Sequence, residues 1–133
     1  MNMFNNFPVL KDFKRAIMKV EEVLKLEKTE IVRDSSIKRF ELCFDLAWKS
    51  IKVYAQREGR ECFSPRNCFK IAFGLHLIDY DEKWLKMIED RNLNTHLYKE
   101  EYADEVYQRL PEYLELFKKL VLKIEKSVKE DIG

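Results

Sequence analysis

The chain has 133 residues, 46% of them hydrophobic, with 25 basic side chains against 24 acidic ones for a net charge of +1. That length suits one hydrophobic core and is short for two, so a single domain over residues 1–133 is expected. Balanced charge makes attraction of the whole molecule to nucleic acid weak, and any RNA contact has to come from a local patch or an assembled cleft. Glycine and proline number only three each. With Leu, Lys, Glu and Ile abundant, that scarcity of turn formers predicts a mostly helical chain. No run approaches the ~18 consecutive apolar residues of a membrane span, and MNMFNNFPVL at the start lacks a basic segment followed by an apolar block. A soluble, cytoplasmic protein is the expectation. Cys43, Cys62 and Cys68 are odd in number and none forms a CxxC pair, so neither a disulfide framework nor a structural zinc site is predicted.

Five helices are predicted in chain order. Pro8 suits the first turn of a helix, and Leu10, Phe13, Ile17, Val20 and Leu24 then recur at steps of three and four, to about Lys28. A second stripe runs through Ile37, Phe40, Phe44, Ala47, Trp48, Ile51 and Tyr54, with Asp34 or Ser35 as candidate caps and Gly59 as a left-handed stop. Ser64 as N-cap and Pro65 as first helical residue mark the third, with Gly74 expected just past its end. The fourth should start near Asp81 and carry Trp84, Leu85, Met87 and Ile88. The last is expected from about Lys99 to Val128, its apolar stripe keeping phase across Pro111, which predicts one continuous but kinked helix. The fold class is all-α, an antiparallel up-and-down bundle of about five helices with short connections. Six Tyr, nine Phe and two Trp are many for so thin a bundle. Either they fill the core, or part of their surface closes a two-fold dimer.

Chemistry-bearing patterns are few. There is no glycine-rich phosphate loop, no GxSxG and no HExxH. His76, between apolar neighbours in GLHLID, reads as a satisfied structural histidine, and the cysteines read as inert thiols. The stretch RNLNTHLY, residues 91 to 98, is different. Arg91 offers a planar donor fork suited to phosphate, His96 can move a proton near neutral pH, and Tyr98 can donate a hydrogen bond, stack or accept a group. On an unbroken helix, five residues rotate by about 140°, so Arg91 and His96 would not share a face. The helix must end between them if both are to reach one phosphate, and Asn92 and Asn94 suit such a break. From the residues alone, an R-x4-H spacing does not separate a phosphate site from an exposed helix junction.

IKRFELCFDLAWKSIKVYAQREG, SPRNCFKIAFGLHLID, WLKMIEDRNLNTHLY and EEYADEVYQRLPEYLELF together cover most of the chain. Through them the sequence resembles the HEPN superfamily, in its branch of nucleotidyltransferase substrate-binding proteins. The family's extended motif, RN-xxx-H-x-Y, falls on Arg91, Asn92, His96 and Tyr98. The resemblance implies a helical bundle that forms a homodimer, with both motifs facing one cleft. It further implies a toxin acting as a metal-independent endoribonuclease without a cofactor. In that role His96 is the catalytic acid/base, Arg91 the catalytic phosphate ligand, and Asn92 a substrate-binding residue. Tyr98 would be the residue on which a partner minimal nucleotidyltransferase, the antitoxin, places AMP to silence cleavage. The alternative within the same branch is a non-catalytic subunit that binds substrate or nucleotide for a minimal nucleotidyltransferase.

Overall fold

The computed structural model describes residues 7–92 and 100–132, and five helices lie within them: α1 (Pro8–Leu24), α2 (Glu30–Arg57), α3 (Pro65–Gly74), α4 (Lys83–Arg91) and α5 (Glu100–Ile132). All five predicted helices are present, and no strand occurs among the described residues. The all-α bundle is therefore the fold.

Long-range contacts fix the directions. Lys14 pairs with Glu125 and Glu21 with Lys118, so α1 and α5 run antiparallel. Arg39 donates to the carbonyl of Lys19 and faces Glu22, which makes α1 and α2 antiparallel as well. It follows that α2 and α5 run the same way, with Arg33 beside Glu100 and Asp104, and Phe40 stacked on Tyr113 and Phe117. The intervening α3 and α4 carry the chain back, which is how the two longest helices come to lie parallel in an otherwise up-and-down bundle.

The core forms where these helices meet. Phe13, Phe40, Phe44, Phe69, Trp84, Tyr113 and Phe117 are buried and make a chain of edge-to-face, tilted and stacked ring contacts, each worth roughly 0.5–1.5 kcal/mol beyond its area. Most of the aromatic surplus thus lies inside the single chain. Phe63, Phe73 and Tyr80 are the large rings left exposed among the described residues. The α5 stripe holds phase through Pro111, with Val106 and Leu110 before it and Tyr113, Phe117 and Ile124 after it buried in one continuous helix.

Several expected details change. Helix α2 starts earlier than Asp34 or Ser35. Thr29, in extended geometry, is its N-cap and accepts from the N–H of Val32, so Asp34 falls inside the helix and holds Arg33 instead. Helix α1 stops at Leu24, four residues short of Lys28. Gly59 is left-handed as expected, whereas Gly74 is the last residue of α3 and the left-handed conformation falls on His76, at φ 63°. His76 is exposed, so it is a turn residue rather than a buried structural histidine.

The expectation of free thiols fails for two of the three cysteines: Cys62 and Cys68 form a disulfide. Ser64 caps α3, which puts Cys62 two residues before the cap and Cys68 four residues after it. Chain entering a helix commonly packs an apolar side chain from just outside the cap onto the first turn. Here the contact is covalent, and counting cysteines could not reveal it because the cap geometry brings the pair together. Cys43 remains free, and burial pushes its thiol well above the usual range, consistent with an inert core residue.

No helix among the described residues is long and apolar enough to cross a membrane.

Candidate functional site at the end of helix α4

Helix α4 is short, with Trp84, Met87 and Asp90 buried on one side. Its last two residues turn about 100° apart, and each grips a different long helix. Asp90 faces α5 and Arg91 faces α2.

Asp90 is fully buried and accepts four hydrogen bonds. Oδ1 takes the hydroxyl of Tyr102 at 3.0 Å and Nη2 of Arg109 at 2.8 Å. Oδ2 takes Nε of Arg109 at 2.8 Å and the hydroxyl of Tyr113 at 2.6 Å. A carboxylate removed from water is tolerated only when its lone pairs are filled, and here a bidentate guanidinium and two phenols fill them. Burial, together with the bond to Asp90, raises the Tyr113 hydroxyl far above its ordinary range, so it remains a donor at every physiological pH. Tyr102 shifts the same way for the same reasons.

Arg91 stands on the other side, partly exposed. Its Nε and Nη2 reach Oδ1 and Oδ2 of Asp45, each at 3.1 Å, and Nη1 lies 3.9 Å from the nearly buried Glu41. Hydrogen bonding to Asp45 raises the guanidinium pKa further, partial burial opposing it, so the charge is permanent. Glu41 and Asp45 are one turn apart on α2 and both face Arg91, while Glu41 also pairs with Lys38 at 3.5 Å. Asn92 follows as the exposed C-cap of α4. Two predicted site residues, Arg91 and Asn92, therefore lie at the end of α4. His96 and Tyr98 lie outside the described residues.

Sequence reasoning missed the carboxylate partners. Glu41 and Asp45 share an i,i+4 face of α2, and Tyr102, Arg109 and Tyr113 share a face of α5 at steps of seven and four. The second set is legible as a polar stripe, yet both tyrosines fit the apolar stripe equally well. A third cluster, also missed, ties the start of α2 to the start of α5. Buried Arg33 bonds Asp34, Glu100 and Asp104, and Lys28 joins at Asp104. Among the described residues no group of three or more His, Cys, Asp or Glu is arranged to hold a metal ion.

A model of the family described as nucleotidyltransferase substrate binding protein like matches residues 9–126. A protein of Thermus thermophilus, known from its crystal structure, is similar over 84% of this chain and 98% of its own, with 31% sequence identity and a TM-score of 0.78. No curated protein matches the chain.

Proposed function

Because this chain belongs to the nucleotidyltransferase substrate-binding-like family, we propose that it is the substrate-binding subunit of a separate, small nucleotidyltransferase, with the end of α4 as the surface that receives the substrate. One observation carries this choice over cleavage: the Arg91 fork is already held by both oxygens of Asp45, with Glu41 behind it. A phosphate can replace Asp45 on that fork, one bidentate anion for another, which suits reversible capture. Cleaving RNA asks for more. Negative charge grows on the oxygens around phosphorus in the transition state, and a catalytic site gains rate by meeting it with surplus positive charge. Arg91 and Lys38 set against Asp45 and Glu41 balance among the described residues and do not supply that surplus.

A second reading rests on a different feature. Helix α4 ends at Arg91 with Asn92 as its cap, so the helix stops where it must if Arg91 and His96 are to serve one phosphate. On that reading the chain is a toxin and a metal-independent endoribonuclease. His96 is its acid/base, Arg91 holds the scissile phosphate, Asn92 orients it, and the nucleotidyltransferase silences it by placing AMP on Tyr98. Both readings favour a homodimer, with light scattering giving about twice the 16.1 kDa chain mass.

One paired assay separates them. The purified chain is incubated with RNA in EDTA, and separately with its nucleotidyltransferase and nucleotide. The binding-subunit reading expects intact RNA, a stable complex, and nucleotide affinity that falls about tenfold or more in Arg91→Ala, the loss of one charge-assisted contact. RNA cleavage that persists in EDTA, and that disappears in His96→Ala, would overturn it and establish the nuclease.

A further inference from the structure

At the opposite end of α4 from Arg91, a groove of about 440 Å³ opens between α3 and the segment running from Ile78 to Leu85. Its size lies within the range of small-molecule sites. The buried rings of Phe69 and Trp84, 4.9 Å apart, form its floor. Phe73 and Tyr80 meet edge to face at 6.0 Å on its rim, and they are 49% and 74% exposed. Scattered exposed rings are ordinary, but two in edge-to-face contact beside a cavity offer a ligand one ring face to stack on and a second ring to close its edge.

The charges around this platform are sorted. Arg66 and Lys70, one turn apart on α3, line one wall, and neither makes an ion pair with any described residue. The arginines with described salt bridges, Arg33, Arg39, Arg91 and Arg109, all face carboxylates. The wall facing Arg66 and Lys70 carries Asp79, Asp81 and Glu82, and of these Asp81 already accepts the N–H of Lys83. A long polyanion would be repelled by that wall. A fitting ligand has a flat ring, one compact anion at one end, and hydroxyl or amine donors at the other.

We propose that this groove binds a nucleoside monophosphate. The base stacks on Tyr80 with Phe73 against its edge, the phosphate pairs with Arg66 and Lys70, and sugar hydroxyls or the base amine donate to Asp79 and Glu82. The inference stands on the groove alone and does not depend on the role given to Arg91.

AMP titrated into the full-length chain by calorimetry tests it. Both rim and cationic residues are exposed, so their variants should fold. Saturable AMP binding is expected, with Tyr80→Ala weakening it about tenfold through the loss of base stacking. The double variant Arg66→Glu, Lys70→Glu should weaken it about tenfold or more, and adenosine should bind at least about tenfold less tightly than AMP, since both lose the charge-assisted phosphate contacts. The proposal is overturned if wild type shows no saturable binding of AMP, or if binding is indifferent to Tyr80 and to the Arg66/Lys70 pair. AMP binding lost only in Arg91→Ala would assign the ligand to the end of α4, refuting this groove while supporting the binding-subunit reading.

Discussion

Asp90 and Arg91 are consecutive in the chain and opposite in circumstance. Asp90 is buried, with four donors filling its carboxylate, and its partners reach it from one helix, α5. Arg91 is partly exposed, its fork held by Asp45 alone at hydrogen-bonding distance. The same pairing of guanidinium and carboxylate therefore does two jobs. At Asp90 it locks the end of α4 against α5, because opening it would strand a charge in the core. At Arg91 water and competing anions can reach the pair, so it can exchange. A binding surface needs this combination: a rigid seat for the backbone and a replaceable counter-ion on the side chain it presents.

Three substitutions sharpen the contrast, in order of expected size. Asp90→Ala leaves Arg109 and the Tyr113 hydroxyl without their acceptor and should destabilise the fold by about 3–5 kcal/mol in urea or thermal unfolding. A loss below about 1 kcal/mol would mean that the network is not the anchor.

Next, Tyr113→Phe removes one of the four donors and should cost about 1–2 kcal/mol at neutral pH. Its pH dependence follows from the raised Tyr113 pKa. The folded state keeps this proton while an unfolded tyrosine releases it at about pH 10, so the contribution is complete below about pH 10 and declines as pH rises beyond it. Unfolding curves at about pH 7 and about pH 11 should show the gap between wild type and Tyr113→Phe narrowing at the higher pH. A constant gap would count against the tyrosine as its source.

Arg91→Ala should have the smallest effect on stability, at most about 1 kcal/mol, since partly exposed pairs contribute little. Its effect on ligand affinity should be large, so melting temperature and binding ought to separate. If Arg91→Ala unfolds the chain as readily as Asp90→Ala, the distinction between anchor and exchangeable fork collapses.

Local sequence was enough to establish the helices and their buried faces, because a 3.6-residue period read against apolar residues is a property of each segment alone. Ser64 and Pro65 marked the start of α3 for the same reason: capping is decided within one turn. Asn92 and Asn94 in RNLNTHLY likewise suited a helix break, and α4 ends at Arg91. Which charges meet was settled by packing. Arg91 lies 46 residues from Asp45, and Asp90 lies 23 from Tyr113. Such pairs depend on α2 and α5 running parallel with α4 packed against both, and nothing in the local spacing of either partner encodes that. The Cys62–Cys68 bond belongs to the same class on a smaller scale, since it is the turn into α3 that makes the two sulfurs neighbours. Periodicity reveals which face of a helix is buried, but the identity of the helix across from it is a property of the packed chain.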